Sequence, residues 1–146
     1  MAKTKLKIGI NGFGRIGRLV ARICAKRGIE VAAINDPFLD VEYAKYLLDH
    51  DTIHGRFDEK TEVKDGKLVI GGKAASFYAI KEPNQIPWAK AGVNVVIEAT
   101  GKFTNYEGAA LHLEGGAQKV IVTAPGKNMP MFVMGVNHNE YKDEMK

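Results

Sequence analysis

Three glycines at G-x-G-x-x-G spacing, Gly12-Phe13-Gly14-Arg15-Ile16-Gly17, join an alternating stretch, Leu6 to Asn11, to a helical pattern running from about Arg15 to Arg27. A strand that turns this abruptly into a helix places special demands on each glycine. Gly12 has to make the tight turn off the strand. Gly14 has to leave room for a ligand against the backbone, and Gly17 has to let the helix settle close on the sheet. The free amides and positive end of the helix then face whatever anion lies over the turn. Glycines cluster in ordinary turns too, so the spacing acquires meaning only from its context. Here a strand precedes it, a helix follows, and Asp36 lies 19 residues beyond Gly17 at the end of a second apolar run, Glu30 to Asn35. A carboxylate at that place accepts hydrogen bonds from adenosine ribose hydroxyls and repels a 2′-phosphate, which favours NAD over NADP. The alternative for these residues is a structural turn followed by a solvent-exposed aspartate.

The rest of the chain has a matching rhythm. Gly28 stops the first helix in the usual position just past its end. Asp40 can cap a short helix through Leu48. Thr61 to Ile80 carries Asp65-Gly66 and Gly71-Gly72 between β-rich runs, the pattern of a small meander with tight turns. Val93 to Ala99 is a strongly apolar strand. Thr104, with Glu107 three residues on, predicts a capping box for another helix, which Gly115-Gly116 would end. Val120 to Thr123 is a short strand, and Met131 to Val136 is expected to be the last. Near-continuous apolar strands alternating with amphipathic helices predict an α/β fold with a parallel sheet covered on both faces. The expectation is a doubly wound Rossmann domain over residues 1–146, with a mainly parallel six-stranded sheet and a small β-meander insertion.

Composition narrows the function classes. Of 146 residues, 45% are hydrophobic and 26% charged, ordinary values for a globular domain. No apolar run is long enough to cross a bilayer, and the opening MAKTKLKIGING lacks the apolar region of a secretory leader. A cytoplasmic protein without a membrane partner is expected. The single cysteine, Cys24, forms neither an internal disulfide nor a Cys-based zinc site. It falls with Ile16, Leu19, Val20 and Ile23 on the apolar stripe of the first helix, which predicts packing against the sheet rather than a nucleophile. Arg15, Arg18, Arg22 and Lys26 form a basic stripe on the same helix. With a net charge of +4, it fits a solvated face, nucleic-acid contact being the sharper alternative. His50 and His54 stand four apart but lack the glutamate of a helical zinc motif, so no metal site is predicted. His112 falls near a helix C-terminus, where partial positive charge suits the dipole. His138 is expected near the end of the last strand, with no acid partner.

Five segments in series resemble one family. Asn11 to Arg18 (NGFGRIGR), Ala33 to Phe38 (AINDPF), Ala99 to Thr104 (ATGKFT), Val122 to Pro125 (VTAP) and Pro130 to His138 (PMFVMGVNH) are similar to glyceraldehyde-3-phosphate dehydrogenase, in order and at compatible spacing. The resemblance implies that the amides of Arg15 and Ile16 hold the NAD pyrophosphate and that Asp36 holds the adenosine ribose. Lys81 stands where the family usually has arginine, a contact made mainly through the backbone. Thr100 and Gly101 would line the crevice, Phe103 would wall the adenine, and Thr123 would lie toward the nicotinamide. Asn11, Gly12, Phe13, Gly14, Gly17 and Asn35 complete the implied cofactor-binding set. The family's catalytic cysteine, in a Ser-Cys-Thr-Thr-Asn segment, and its catalytic histidine are not among these residues.

The resemblance therefore implies the cofactor half of a glycolytic, phosphorylating dehydrogenase, which binds NAD without catalysis until joined to its catalytic domain. It also implies tetramer formation, apolar surface where the catalytic half docks, and weak RNA binding. A stand-alone NAD-binding or RNA-binding module, or a fragment of the related erythrose-4-phosphate dehydrogenase, are the competing readings.

Overall fold

The computed structural model describes residues 5–146. The lysine-bearing start, on which the expectation of no leader partly rests, includes residues 1–4, which lie outside the described residues. Strand β1 (Lys7–Asn11) buries Ile8 and Ile10 on one face. On the other face Gly9 leaves a gap that Trp88 fills, since a Cβ at Gly9 would lie 2.7 Å from the indole. The chain then forms α1 (Arg15–Lys26), β2 (Glu30–Asn35), α2 (Val41–Asp49), the two-residue strands β3 (His50–Asp51) and β4 (Gly55–Arg56), and the meander β5 (Thr61–Lys64), β6 (Lys67–Ile70) and β7 (Lys73–Tyr78). It ends with β8 (Val95–Glu98), α3 (Tyr106–Glu114) and β9 (Lys119–Val122), each joined to its neighbour by loops or single 3-10 turns.

The main sheet has seven strands in the order β5-β6-β7-β2-β1-β8-β9. β7, β2, β1, β8 and β9 run parallel, and β5 and β6 extend the sheet antiparallel at one edge. Helices α1 and α2 cover one face, burying Ala21, Cys24, Ala44 and Leu48 against Ile8, Ile10, Ile34 and Ile97. The other face packs Ala32, Ala33 and Val96 against Ile86, Trp88 and Ala117, with α3 alongside. The doubly wound architecture is thus present, with helices on both faces.

Local chemistry explains most boundaries. Gly28 adopts φ +69° and ends α1. Asp40 caps α2, its side chain accepting from the Tyr43 amide at 2.8 Å. For α3 the cap is Asn105, not Thr104: Asn105 Oδ1 accepts from the Gly108 amide at 2.8 Å. Thr104 is instead held by its carbonyl, which accepts the Lys127 amide at 2.8 Å. Glu107 therefore stands two residues after the cap, one too few for a capping box.

Four further expectations need correction. The sheet has seven strands, because the meander is an extension of it: β7 pairs in parallel with β2. Met131 to Val136 is not a strand. Asn137 bridges the segment by accepting from the Val133 amide at 2.7 Å and donating to the Met131 carbonyl at 2.9 Å, local bonds that replace a ladder. His138 accordingly follows a turn and accepts the Gly135 amide. Third, the apolar stripe of α1 is only partly inward: Gly17, Ala21 and Cys24 are buried, whereas Ile16 and Ile23 are exposed. Fourth, the basic stripe is interrupted: Arg15 and Lys26 are exposed and Arg18 is half-buried, but Arg22 is not on a solvated face. Arg22 is buried, donating twice to the Leu48 carbonyl (2.6 and 3.1 Å) and once to that of Gly55 (3.0 Å), with its guanidinium 5.1 Å from the Phe57 ring centre.

Candidate cofactor-binding site

Strand β1 lies between β2, reached through α1, and β8, reached only after the meander, so the chain's direction of travel across the sheet reverses beside β1. Ligands of open α/β sheets lie at such a switch point, outside the carboxyl ends of the strands. A crevice of about 500 Å3 opens there.

The glycine turn forms its floor. Gly12 adopts φ +91°, and a Cβ on it would sit 2.8 Å from the Thr100 amide nitrogen, so only glycine fits between the turns after β1 and β8. A Cβ on Gly17 would lie 2.0 Å from the Gly12 carbonyl oxygen. Gly14 differs from both: apart from its chain neighbours, no protein atom lies within 4 Å of the place its Cβ would occupy, and Gly14 is one of the residues that line the crevice. α1 has neither a side-chain cap nor an acidic residue in its first turn, and its first internal bond runs from the Arg18 amide to the Gly14 carbonyl. The first-turn amides of Arg15, Ile16 and Gly17 are therefore free for an anion. Arg18 braces the turn by donating to the Phe13 carbonyl at 2.8 Å.

Asp36 forms the rim. Its Oδ2 accepts the Phe13 amide and its Oδ1 the Phe38 amide, both at 2.9 Å. Behind the floor lies a buried polar network centred on Glu98. The carboxylate accepts from the Thr100 amide (2.9 Å), the Thr100 hydroxyl (2.5 Å), Asn11 Nδ2 (2.7 Å) and His112 Nε2 (2.6 Å). Burial alone would push the Glu98 carboxyl up, but its hydrogen bonds from His112, Thr100 and Asn11 outweigh that and hold it below the usual carboxylate range. His112 Nδ1 accepts from Trp88 Nε1 at 3.1 Å, and Asn11 Oδ1 accepts from Asn35 Nδ2 at 2.8 Å.

The family profile described as "Glyceraldehyde 3-phosphate dehydrogenase, NAD binding domain" matches residues 6–106, which include the whole glycine turn, Asp36 and the Thr100 turn. The chain belongs to the glyceraldehyde-3-phosphate dehydrogenase family. It is 53% identical to the glyceraldehyde-3-phosphate dehydrogenase of Yarrowia lipolytica over 141 residues, 96% of this chain and 42% of that protein. To the cytosolic enzyme of Pisum sativum it is 51% identical over 143 residues, and to enzyme 2 of Danio rerio 49% over 138 residues. These alignments cover 96% and 94% of this chain, and 42% and 41% of the relatives. The chain thus spans about two-fifths of the length of the curated relatives it matches.

The cofactor of this family domain is NAD. The residues present suit it: Gly14, the N-cap of the uncapped α1, lines the crevice with open space where a Cβ would stand. Of the residues expected to bind cofactor, Asn11, Gly12, Gly14, Asp36, Lys81, Thr100 and Phe103 line the crevice together. Arg15 and Ile16 stand exposed at the start of α1. Gly101 follows the Thr100 turn, and Thr123 is tied to the end of β8 through its amide, 3.1 Å from the Glu98 carbonyl. Phe13, Gly17 and Asn35 lie behind the floor: the Phe13 and Asn35 side chains are buried, and Asn35 also bonds both backbone groups of Ile80.

Pro37, Phe38, Ile80, Glu82, Ala99 and Lys102 also line the crevice but were not assigned from sequence. Lys102 Nζ sits 5.1 Å from the Phe38 ring centre, one partner from each side of the opening. The Glu98 network was missed altogether; His112 does stand in the last turn of α3, but it is fully buried there and bonds Glu98 and Trp88. A glutamate at the end of the apolar run Val95-Val96-Ile97 was the available signal, because a charge buried in a parallel sheet needs polar partners.

Proposed function

We propose that this chain holds NAD as the cofactor domain of a phosphorylating glyceraldehyde-3-phosphate dehydrogenase. The observation that carries the proposal is the meeting of the uncapped α1 terminus, the open face of Gly14 and the Asp36 rim in one crevice at the β1–β8 switch point. The Arg15 and Ile16 amides hold the pyrophosphate, with Gly12 and Gly14 beneath it. Asp36 accepts the adenosine ribose hydroxyls, Phe103 walls the adenine, and the Lys81 backbone closes that side. Thr100 and Gly101 form the opposite wall, and Thr123 lies toward the nicotinamide. Asn11, Asn35 and Phe13 fix the floor. Bound NAD supplies the hydride acceptor, while the protein supplies placement and electrostatics.

The thiol that such an oxidation requires is not Cys24. That residue lies on the buried face of α1, and burial pushes its thiol up, away from the reactive thiolate. The complete enzyme brings the thiolate from its catalytic domain, which is the principal partner of this chain, and the tetramer is its working state. The exposed Ile16, Ile23, Met134 and Val136 are the apolar surface available for such packing. No helix among the described residues is long and apolar enough to cross a membrane, and the cytoplasm is the proposed location. The burial of Arg22 breaks the basic stripe and weakens the support for an RNA-binding module.

Calorimetric titration tests the proposal directly. One saturable NAD site per chain is expected, with NADP bound at least about tenfold less tightly because Asp36 faces its 2′-phosphate. Equal affinities would overturn the cofactor preference, and absence of NAD binding would overturn the whole reading. The chain mixed with glyceraldehyde 3-phosphate, NAD and phosphate should form no NADH; turnover abolished by Cys24→Ser would show that Cys24 had been misassigned.

A further inference from the structure

We infer that Glu98 is the positioning residue of the crevice: a buried, ionised carboxylate that fixes the turn after β1 and the turn after β8 at the spacing NAD requires. The inference rests on the NAD-binding reading and adds to it the residue that sets the width of the site.

The ionised state follows from the donors. Trp88 Nε1–H can only donate, and it points at His112 Nδ1 at 3.1 Å. Nδ1 therefore carries a lone pair, the ring proton sits on Nε2, and His112 is neutral. Its Nε2–H donates to Glu98 at 2.6 Å. The other three bonds come from the Thr100 amide, the Thr100 hydroxyl and the Asn11 side-chain amide. A carboxylate offers about four lone-pair sites, and here each oxygen has two donors. Among the described residues no Lys or Arg forms an ion pair with this carboxylate, and hydrogen bonds balance its charge.

Such an arrangement costs more to build than an apolar contact of equal size, and its geometry shows what it holds. One oxygen fixes Thr100, the wall on the β8 side. The other fixes Asn11, which holds Asn35, and Asn35 in turn bonds both the amide and carbonyl of Ile80 on the adenosine side. The two turns also run close together: a Cβ on Gly12 would lie 2.8 Å from the Thr100 nitrogen. Glutamine cannot replace this carboxylate. Whichever way its amide is turned, an NH2 group faces two donors. The Thr100 amide cannot reverse, and a reversed His112 tautomer would set its proton against the Trp88 N–H.

Calorimetry with NAD and with AMP on the unaltered chain and on Glu98→Gln tests the assignment. AMP engages only the adenosine side, whereas NAD must span both turns. In Glu98→Gln, NAD affinity should fall by about tenfold or more and AMP affinity by a clearly smaller factor, since AMP feels only the Asn11–Asn35 branch. Equal losses for the two ligands, or no loss, would overturn the positioning role. An unaltered chain that takes AMP but not NAD would instead sink the cofactor reading itself. Nitrogen-15 NMR of the unaltered chain decides the matter even if Glu98→Gln does not fold. His112 should be the neutral Nε2–H tautomer at pH 7, and the Thr100 amide proton should shift on NAD saturation. A protonated ring, an Nδ1–H tautomer or a Thr100 amide indifferent to NAD would each overturn the proposal.

Discussion

The backbone amide of Phe13 lies 2.9 Å from Asp36 Oδ2, so the glycine turn and the acidic rim of the crevice form one hydrogen-bonded unit. Asp36 spends its other oxygen on the Phe38 amide, also at 2.9 Å. The carboxylate is thereby pinned between the phosphate-binding turn and the loop after β2, with remaining lone pairs free for ribose hydroxyls. Asp36→Ala should weaken NAD by about 10- to 100-fold, the range for lost hydrogen bonds to a charged group. NADP should weaken far less, because a source of 2′-phosphate repulsion goes with the carboxylate. Titration of both cofactors against both proteins checks this, and an unchanged NAD-to-NADP ratio would contradict the role of Asp36.

Gly14 and Gly17 are three residues apart, yet their substitution should fail in different ways. A methyl at Gly17 meets the Gly12 carbonyl oxygen at 2.0 Å, a backbone atom that cannot swing aside. Gly17→Ala should cost about 1–3 kcal/mol or more of folding stability. A methyl at Gly14 meets no protein atom within 4 Å apart from its chain neighbours, and the residue has φ −73°. Gly14→Ala should cost less than about 1 kcal/mol, the difference between these residues at a helix cap, but it should impair NAD binding by filling that open space. Urea unfolding with cofactor titration separates the two effects. Equal stability losses would undo the division of labour between these glycines.

The parts of the fold written locally were legible in the sequence. Gly28, Asp40, the Asp65-Gly66 and Gly71-Gly72 turns and the glycine-rich turn each announce themselves through conformations or caps that few residues supply. What failed depends on partners distant in sequence. Arg22 looks like any helix-surface arginine until the carbonyls of Leu48 and Gly55 arrive beside it. Met131 to Val136 has the composition of a strand, but Asn137 claims its backbone first. Within the site, the glycines and Asp36 could be placed by spacing. Glu98 meets Asn11 across 87 residues and His112 across 14, and no local pattern encodes that meeting.

Arg22 supplies a stability prediction that a solvated residue would not. Arg22→Met keeps much of the stem packing but leaves the carbonyls of Leu48 and Gly55 without their donor. Buried unpaired groups and a lost charge-assisted network predict a loss of about 3 kcal/mol. Lys26→Met, on the exposed last turn of α1, should change stability by no more than about 0.5 kcal/mol. Chemical denaturation of the three proteins tests the contrast, and similar midpoints for the two variants would mean that the Arg22 bonds carry no net stability.

Acid should remove the contribution of Glu98 in a defined window. In the folded chain, hydrogen bonds from His112, Thr100 and Asn11 overcome the opposing effect of burial and hold this carboxyl below its ordinary value. The unfolded chain, with a glutamate near about 4.3, then binds the proton more readily than the folded one. The resulting stabilisation is fully present above about pH 4.3 and fades as pH falls through the lower folded value. Other low carboxyls, including Asp51 at about 2, where the His54 and Ile53 amides hold it, are shared with Glu98→Gln and cancel in a comparison. The stability gap between the unaltered chain and Glu98→Gln should stay level from pH 7 to about pH 5 and narrow below about pH 4. Urea unfolding at stepped pH measures it directly. A gap that widens in acid would mean that the folded carboxyl is raised, and that His112 and Thr100 do not favour its ionised form.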